Sequence, residues 1–488
     1  MLNSMTSVPD VPDLLPYGLN DDGNSQRFVL LYGDRFRYCH AFDKWLYWDG
    51  SRWLIDGRQK ALDHARDCMR EFHSQAVGNR QDEKADFAHA SLNKSRASNL
   101  LWMSQPTLHI PSETLDSSPW LLNFTNGTMD LETGDFHLHS PLDYITKRID
   151  YPYDPYATCP TWTSFISQTM CRSKSMIHYI QKALGYSLTG ITHERAVFLL
   201  YGTGNNGKTT LLSTIQELIP AYSLILRIEA LIATHESNNN EADLADLQGK
   251  RFVITSESDQ GHRLMQGRLK RLSQGTGSMR AVRKYENPIT FEQTHKIWMD
   301  TNHLPIITDA DDIATMRRLH PIHFQHIVPK DKIDPDLSLK LRAEAPGILA
   351  WLVEGAALWQ KERLGKPRAV ETATEELRLK NDWLERFLHD RCLVAPGRVA
   401  FASELYAAYE IWAEEGGEGR DCLPRSVTQF GRSLNAHEGI SRGRNATCAF
   451  YKGVGLRPSN GRIGSTPEEQ SNNSDGFEDT DEGSDLIQ

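Results

Sequence analysis

Residues 196–220 constrain the fold of this chain more than any other part of the sequence. Five apolar residues, 197–201, predict a fully buried strand, and residues 202–209 then have the spacing Gly-x-x-x-x-Gly-Lys-Thr. A helix of apolar periodicity follows and is predicted to end at Pro220. Glycines in such a turn let successive backbone N–H groups surround a phosphate at the N-terminus of a helix. The chain is therefore predicted to bind a nucleoside triphosphate.

Two side chains of this loop have distinct predicted roles. Lys208 is expected to reach the β- and γ-phosphates, and the Thr209 hydroxyl is expected to hold Mg²⁺. The alternative is a glycine-rich turn that binds nothing, which is disfavoured because the strand, the spacing, the Lys-Thr pair and the helix occur together. The residues predicted to contact ATP are Gly202, Gly204, Asn205, Asn206, Gly207, Lys208, Thr209 and Thr210.

Composition limits the class of protein. A length of 488 residues predicts two to four domains, and a hydrophobic content of 39% is enough to form buried cores. No run of 18 apolar residues and no signal-peptide pattern occurs, so we expect a cytoplasmic protein without a membrane partner. The seven cysteines lack metal-site spacing, which favours reduced thiols over a zinc site or a disulfide framework.

Charge is distributed unevenly along the chain. The net charge is −10, but residues 466–488 alone contain eight acids and no Lys or Arg. Residues 250–284 contain nine Lys or Arg against two acids. This basic segment is either a solvated face or a contact surface for nucleic acid, and its position inside the predicted ATPase core favours the second interpretation.

The pattern along the chain predicts an α/β protein with additional segments. Alternation at Phe28, Leu30 and Tyr32 predicts a strand, and Asp49-Gly50 predicts a hairpin turn. The nearby tryptophans are expected to be core residues of a small β unit rather than platforms for stacked bases. The predicted segments are a disordered N-terminus (1–24), an α+β region (25–160), an ATPase domain with preceding helices (161–365), a helical linker with a winged-helix-like domain (366–457) and an acidic disordered tail (458–488).

The order of elements near the C-terminus is typical of a winged helix. A strand at 399–401, helices at 404–413 and 425–435, and a strand pair within 440–454 are predicted. A small α/β packing module without DNA contact is the alternative. The cations that would face phosphates are Arg425, Arg432, Arg442, Arg444 and Lys452.

Phosphoryl transfer also needs an acid, a group that senses the γ-phosphate, and a cation. Glu257 comes after a buried strand and is predicted to polarise water or help hold Mg²⁺, with Asp259 as a second carboxylate. Asn302 ends another strand and is predicted to hydrogen-bond the γ-phosphate and water. Arg317 and Arg318 are candidates for an arginine finger supplied by a neighbouring subunit. The alternatives are solvated acids, a turn-forming Asn and surface salt bridges.

These motifs together resemble superfamily 3 helicases, and more narrowly the helicase part of phage and plasmid primase-helicases, a group that includes the poxvirus primase-helicase. The resemblance depends on a loop of the form Gly-x-Gly-x-Asn-Gly-Lys-Thr, an acidic strand end, a basic segment, a strand ending in Asn, and Arg-Arg-Leu beyond it. Matching segments on both sides extend it over roughly residues 25–365.

The resemblance implies a P-loop, AAA+-like ATPase core. It implies a homohexameric ring that uses ATP and Mg²⁺ to move 3′→5′ on single-stranded DNA and unwind forked DNA in a bacterial host. Lys208, Thr209, Glu257 and Asn302 match the catalytic positions, with Thr209 and Glu257 at the metal, and either Arg317 or Arg318 matches the arginine finger.

The resemblance also implies that residues 270–284 form a hairpin that grips single-stranded DNA in a central channel. The implied DNA contacts are Lys270, Arg280, Arg283, Lys284 and Tyr285. Relatives usually have Gly-Gly-Asp where this chain has Gly275-Thr276-Gly277, so the local turn departs from the family pattern.

Two other functions remain open from sequence. A monomeric small-molecule kinase would share the loop, and an ATP-binding replication initiator would bind DNA without unwinding it. No zinc spacing for primer synthesis is visible, so the helicase half is expected here, with a separate primase and initiator as partners.

Overall fold

The computed structural model describes residues 11–232, 240–257, 263–282, 288–307, 312–415, 426–445 and 448–457, with the backbone alone at 240–242, 257 and 263. The chain forms two compact units. The first comprises Met1–Ser258, Gly267–Leu304 and Arg317–Ala373, and the second comprises Asp259–Gln266, Pro305–Met316 and Thr374–Gln488, each as far as it is described.

The helices have the following bounds. They are α1 Asp21–Tyr32, α2 Lys60–Gly78, α3 Asp82–Ala90, α4 Lys94–Ser104, α5 Pro160–Thr169, α6 Lys174–Leu188, α7 Lys208–Leu218, α8 Asn240–Ala245, α9 Gln266–Leu272, α10 Ile313–Met316, α11 Leu337–Ala343, α12 Ala345–Glu362, α13 Arg368–Asn381, α14 Trp383–Arg391, α15 Ala402–Glu414 and α16 Val427–Ala436.

The strands have the following bounds. They are β1 Phe36–Cys39, β2 Lys44–Trp48, β3 Trp53–Ile55, β4 Leu121–Asn123, β5 Thr128–Asp130, β6 Phe136–His137, β7 Val197–Tyr201, β8 Ser223–Ile225, β9 Phe252–Glu257, β10 Arg263–Leu264, β11 Ser278–Ala281, β12 Ile289–Glu292, β13 Lys296–Thr301, β14 Ile306–Ile307, β15 Leu319–His323, β16 Cys392–Phe401, β17 Ser441–Arg444 and β18 Ala449–Leu456.

The N-terminal segment corrects two sequence predictions. Residues 11–24 are ordered rather than disordered, and Phe28 and Tyr32 lie on helix α1 rather than on a strand. The Asn20 side chain caps the helix by accepting from the N–H of Gly23 at 2.7 Å. Arg27 donates to the carbonyl oxygens of residues 14, 17 and 18 at 2.6–2.9 Å, which fixes the preceding segment against the helix.

Small antiparallel sheets occupy the region before residue 140. Strands β1, β2 and β3 form a meander whose β2–β3 turn lies at the predicted Asp49-Gly50 hairpin. Trp53 is fully buried and Trp45 packs against the neighbouring core, as expected for core residues. Strands β4, β5 and β6 form a second three-stranded sheet.

A five-stranded parallel sheet is the centre of the first unit. Its order is β15-β7-β13-β9-β8, so the strand that precedes the glycine-rich loop is flanked by β15 and β13. All five residues of β7 are buried, and the rings of Phe198 and Trp298 stack between β7 and β13 with centroids 4.2 Å apart. Because the strands are parallel, their carboxyl ends open along one edge.

The predicted boundary at residue 160 does not separate two units. Arg251, at the start of β9, is 6 % exposed and donates to the carbonyl oxygens of Ser118 at 3.3 Å and Leu121 at 2.8 Å. These bonds join the region before residue 160 to the parallel sheet within the first unit.

The second unit holds a three-stranded antiparallel sheet of order β16-β18-β17 with helices α14, α15 and α16. Trp383, Phe387, Tyr409 and Phe430 form the aromatic centre of its core. The order of helices and strands agrees with the predicted elements, and the winged-helix interpretation stays a prediction. Among the candidate phosphate contacts, Arg425 lies outside the described residues, as does the segment 458–488, and the exposed members are Arg432, Arg442, Arg444 and Lys452.

Candidate active site

The glycine-rich loop connects β7 to α7 in the predicted position. Gly202 has a φ of +144° and Gly207 has a φ of +89°, both in the region that favours glycine. A Cβ atom at Gly202 would lie 2.5 Å from the carbonyl oxygen of Phe324, and one at Gly207 would lie 2.8 Å from the Thr169 side chain. Glycine is therefore required at both ends of the loop by conformation and by space.

Asn206 and Lys208 tie the loop together. The Asn206 amide donates to the carbonyl oxygens of Thr203 at 2.7 Å and Phe324 at 3.1 Å. The Lys208 ammonium donates to the Gly202 carbonyl at 2.7 Å and to Asn206 Oδ1 at 3.1 Å, and the side chain is 4 % exposed. Burial lowers the pKa of Lys208, and the nearby Asp300 carboxylate acts in the opposite direction.

Asp300 is a site residue that the sequence interpretation missed. It lies on β13, opposite Leu200 of β7 and Ser256 of β9. Its Oδ2 accepts a hydrogen bond from the Thr209 hydroxyl at 2.8 Å, and its Oδ1 is 3.8 Å from the Lys208 ammonium. A carboxylate near the end of a predicted buried strand, two residues before Asn302, was the feature of the sequence that could have indicated it.

The predicted residues meet in one cleft, which we call the loop cavity. Its volume is about 570 Å³. Asn302 lies there together with Asp300 and Ser256, opposite the loop residues. The loop residues that line it are Gly204, Asn205, Asn206, Gly207, Lys208, Thr209 and Thr210. The structure therefore brings nearly all predicted ATP contacts and the predicted γ-phosphate sensor to one side of the parallel sheet.

The predicted acids are only partly described. Glu257 is the last residue of β9, and its backbone pairs with Thr301 of β13 next to Asn302. This places its backbone at the carboxyl edge of the sheet, on the strand beside β13. The Glu257 side chain and Asp259 lie outside the described residues, so their roles stay predictions.

The two candidate finger arginines differ in exposure. Arg317 is exposed at the start of the segment that leads into β15, whereas Arg318 is 7 % exposed. The carbonyl oxygen of Arg318 accepts from the Val197 N–H at 2.8 Å, which continues the pairing of β15 with β7. Of the two side chains, only that of Arg317 is accessible to a second molecule.

The predicted DNA-binding segment contains two paired strands. β11 and β12 run antiparallel, with Arg280 exposed on β11 and Lys270 partly exposed on α9. Arg283, Lys284 and Tyr285 lie outside the described residues. In the turn before β11, φ is +89° at Gly275 and +134° at Gly277. Relatives usually have aspartate at the position of Gly277, and aspartate rarely adopts such a backbone conformation, so glycine fits this turn.

The chemistry of the loop cavity fits Mg²⁺. Thr209 and Asp300 place a hydroxyl and a carboxylate side by side, and such hard oxygen ligands suit Mg²⁺, which is usually held by few protein groups together with phosphates. Among the described residues, no group of three or more His, Cys, Asp or Glu is arranged to hold a metal ion. Within the same residues, no helix is long and apolar enough to cross a bilayer.

Two families match separate parts of the chain. Residues 25–171 match the family described as "D5 N terminal like". Residues 200–318, which include the loop, β9, β13 and both candidate arginines, match a "Family of unknown function (DUF5906)".

Relatives come from large DNA viruses. The chain is 28% identical over 298 residues to "Putative helicase L207/L206" of Acanthamoeba polyphaga mimivirus, a match that covers 57% of this chain and 31% of the relative. It is 25% identical over 335 residues to "Putative primase C962R" of African swine fever virus (isolate Tick/Malawi/Lil 20-1/1983), covering 62% and 34%. It is 25% identical over 371 residues to "Putative helicase 121R" of Invertebrate iridescent virus 3, covering 68% and 38%. The chain thus spans about a third of the length of these relatives.

A solved structure has a similar fold. It is the A form apo structure of the NrS-1 C-terminal region, with a TM-score of 0.51 and 11% identity, covering 89% of this chain and 100% of that one. At this identity the likeness concerns the fold alone. The match over residues 25–171 and the viral relatives named as helicases and primases support a phage and viral primase-helicase family for this chain.

Proposed function

We propose that this chain is the ATP-hydrolysing helicase part of a replication protein, which moves along single-stranded DNA and separates duplex strands. The observation that carries the proposal is the convergence of Lys208, Thr209, Asp300 and Asn302 on one cavity at the carboxyl edge of a parallel sheet. Such an edge, with a glycine-rich loop at a helix N-terminus, suits a nucleoside triphosphate.

ATP and Mg²⁺ are the proposed cofactors. Lys208 neutralises β- and γ-phosphate charge, and in the absence of phosphates its ammonium is held by the Gly202 carbonyl and lies near Asp300. Thr209 and Asp300 would hold the metal, which supplies charge neutralisation at the phosphates. Asp300 fixes the Thr209 hydroxyl, so it orients that oxygen before any ligand arrives.

Hydrolysis needs groups for water and for developing charge. We assign Asn302 to the γ-phosphate and attacking water because it lines the same cavity as Lys208. Glu257 is proposed as the acid that polarises water, from the end of the neighbouring strand. Arg317 is proposed as the finger, since a group that acts on another subunit must be exposed, and Arg318 is buried.

Single-stranded and forked DNA are the proposed substrates, and a homohexamer moving 3′→5′ is the proposed assembly. The β11–β12 pair is proposed to grip the strand through Arg280 and the residues that follow, with Lys270 nearby. A separate primase and a replication initiator are the proposed partners.

DNA-stimulated ATP hydrolysis tests the enzymatic part of this proposal. Single-stranded DNA should raise the hydrolysis rate of the wild type, and Lys208→Ala should abolish hydrolysis with and without DNA because the phosphates lose their buried cation. Lys361→Ala, which removes an exposed cation of α12, is the matched control and should behave as wild type. A wild-type hydrolysis rate that DNA does not change would instead favour the small-molecule kinase. Equal hydrolysis rates for the wild type and Lys208→Ala would refute the assigned site.

A further inference from the structure

Strand β13 connects two regions that the proposed function uses separately. Asp300 and Asn302, at its carboxyl end and just beyond it, line the loop cavity. At its amino end, residues 293–295 join it to β12, one strand of the pair proposed to grip DNA. β13 pairs with β7 on one side and β9 on the other, and a rigid element of this kind can carry coupling between sites. The ends are roughly 23 Å apart, at about 3.3 Å per residue.

Two side chains of the β12–β13 connection bind the C-terminal end of helix α9, where the last carbonyl groups lack partners within the helix. Gln293 Nε2 donates to the carbonyl oxygen of Arg271 at 2.7 Å. His295 Nε2 lies 3.0 Å from the carbonyl oxygen of Leu272. Gln293 and His295, which we call the α9 cap, are both buried, and all four residues belong to the first unit. The position of α9 therefore depends on the segment that begins β13.

The His295 ring is placed for this contact with α9. Burial lowers its pKa to about 4, so the ring is neutral at pH 7 and carries one N–H. Because a carbonyl oxygen only accepts, that N–H is on Nε2 and donates to Leu272. Nδ1 is buried and has no hydrogen-bond partner among the described residues, which costs free energy. Within the same part of the chain, the bond to α9 is the one hydrogen bond that the ring makes in return.

Helix α9 supports both proposed DNA contacts that the structure describes. Lys270 lies on α9, directly before the two residues whose carbonyl oxygens are capped. The Arg271 guanidinium donates to the carbonyl oxygen of Arg280 on β11 at 3.0 Å, which attaches the helix to the strand that carries the second contact. A change in the position of the α9 cap therefore changes the positions of Lys270 and Arg280 together.

We propose that Gln293 and His295 are positioning residues that couple the loop cavity to the DNA-binding strands through β13. This rests on the proposed function and adds the residues by which ATP and single-stranded DNA influence each other's binding. A γ-phosphate bound by Asn302 shifts the carboxyl end of β13, and the α9 cap at the amino end moves with it. Coupling of this kind is reciprocal, because the factor by which nucleotide changes DNA affinity equals the factor by which DNA changes nucleotide affinity.

Paired binding measurements on the full chain test the coupling. The Kd of a fluorescein-labelled oligothymidylate is measured by anisotropy with and without the non-hydrolysable ATP analogue AMPPNP and Mg²⁺. The Kd of AMPPNP is measured by calorimetry with and without the unlabelled oligothymidylate. In the wild type the two coupling factors should be equal and at least about fivefold.

His295→Phe keeps a planar ring and removes the donor to α9. Both coupling factors should fall below about twofold, while the Kd of each ligand alone stays within about threefold of the wild-type value. His295→Gln, which keeps an N–H donor, should retain the coupling. Gln293→Met removes the other donor of the α9 cap and should also lower both factors, so a His295→Phe variant that does not fold leaves a second test.

Thr294→Val is the matched control from the same connection. The Thr294 hydroxyl donates to the carbonyl oxygen of Lys250 at 2.7 Å rather than to α9, so both coupling factors should equal those of the wild type. Wild-type coupling factors in folded His295→Phe and Gln293→Met, or an equal loss of affinity for each ligand alone, would overturn the positioning role.

The wild type separates this proposal from the function on which it rests. A wild type that binds both ligands with coupling factors of one would overturn the coupling and leave the two proposed binding sites intact. A wild type that binds no oligothymidylate would refute the proposed function, and the coupling with it.

Discussion

Asp300 is the single residue on which the arrangement of the loop depends most. Its carboxylate accepts from the Thr209 hydroxyl and lies near the Lys208 ammonium, so it contacts both side chains that are proposed to act on the phosphates and metal. Strand position explains why the sequence did not reveal it. A carboxylate near a strand end is usually solvated, and only the pairing of β13 with β7 brings this one against the loop.

Replacement of Asp300 should lower the rate of Mg²⁺-dependent ATP hydrolysis and the apparent affinity for Mg²⁺. Asp300→Ala removes the acceptor that orients Thr209, so we expect ATP hydrolysis to fall roughly 10- to 100-fold and the half-saturating Mg²⁺ concentration to rise. A Mg²⁺ titration of the hydrolysis rate measures both effects. Glu132→Ala, an exposed acid in the turn after β5, is the control. Unchanged rate and unchanged Mg²⁺ dependence in Asp300→Ala would contradict the assignment.

Because His320 is buried, we expect the free energy of unfolding to decrease in acid. The ring is buried, its Nδ1 lies 2.5 Å from the Tyr179 hydroxyl, and burial with the nearby Lys366 charge lowers its pKa to about 3. In the unfolded chain the His320 ring binds a proton near pH 6.5, whereas in the folded chain the buried ring stays neutral at that pH. The free energy of unfolding therefore falls as pH drops below about 6.5, by up to about 1.4 kcal/mol per pH unit for this group.

Urea unfolding at pH 7 and pH 5 checks this. His320→Gln keeps a hydrogen-bonding group but cannot titrate, so its unfolding midpoint should fall less between the two pH values than that of the wild type. The unfolding midpoint of the variant should still fall somewhat between pH 7 and pH 5 because of His295, whose pKa burial lowers to about 4. Equal pH slopes for the variant and the wild type would show that His320 does not titrate differently on unfolding.

At the scale of elements, the sequence predicted the strand and helix on either side of the glycine-rich loop but not helix α1. Phe28 and Tyr32 fit an alternating strand as well as a helix, because residues four apart satisfy both patterns. The helix is stabilised by the Asn20 cap and by the hydrogen bonds that Arg27 donates to preceding carbonyl oxygens. The continuous apolar run 197–201 and the helical periodicity of 208–218 left less ambiguity, and β7 and α7 lie where predicted.

Helices α6 and α12 cross with their backbones in close approach. A Cβ at Gly185 would lie 2.1 Å from the backbone nitrogen of Ala356, and one at Gly355 would lie 2.2 Å from the Gln181 carbonyl oxygen. Both clashes involve backbone atoms, so rotation of a side chain cannot relieve them. The two glycines are not interpretable from sequence alone, because each lies within a helix where glycine is intrinsically unfavourable.

Gly185→Ala should force the two helices apart. We expect the free energy of unfolding to fall by about 1–3 kcal/mol, the usual cost of overpacking. Gly78→Ala is the matched control, since Gly78 ends α2 with nothing within 4 Å of the added Cβ, and its stability should be unchanged or raised. Thermal unfolding followed by circular dichroism compares the two variants. Equal melting temperatures would contradict the close crossing.

At the scale of the whole molecule, the proposed function is that of a motor made of identical subunits. In that proposal the loop cavity of one chain would supply the phosphate and metal contacts, and the exposed Arg317 would act on the cavity of a neighbour. The sequence predicted the cavity because its residues are consecutive in short motifs. It did not distinguish Arg317 from Arg318, because exposure depends on how β15 pairs with β7.

Strand displacement on a forked duplex tests the central claim most directly. With ATP and Mg²⁺, the wild type should release the displaced strand, and Lys208→Ala should release none, with Lys361→Ala equal to wild type. A wild type that hydrolyses ATP in a DNA-stimulated manner yet displaces no more strand than Lys208→Ala would contradict the helicase function and favour an ATP-binding initiator.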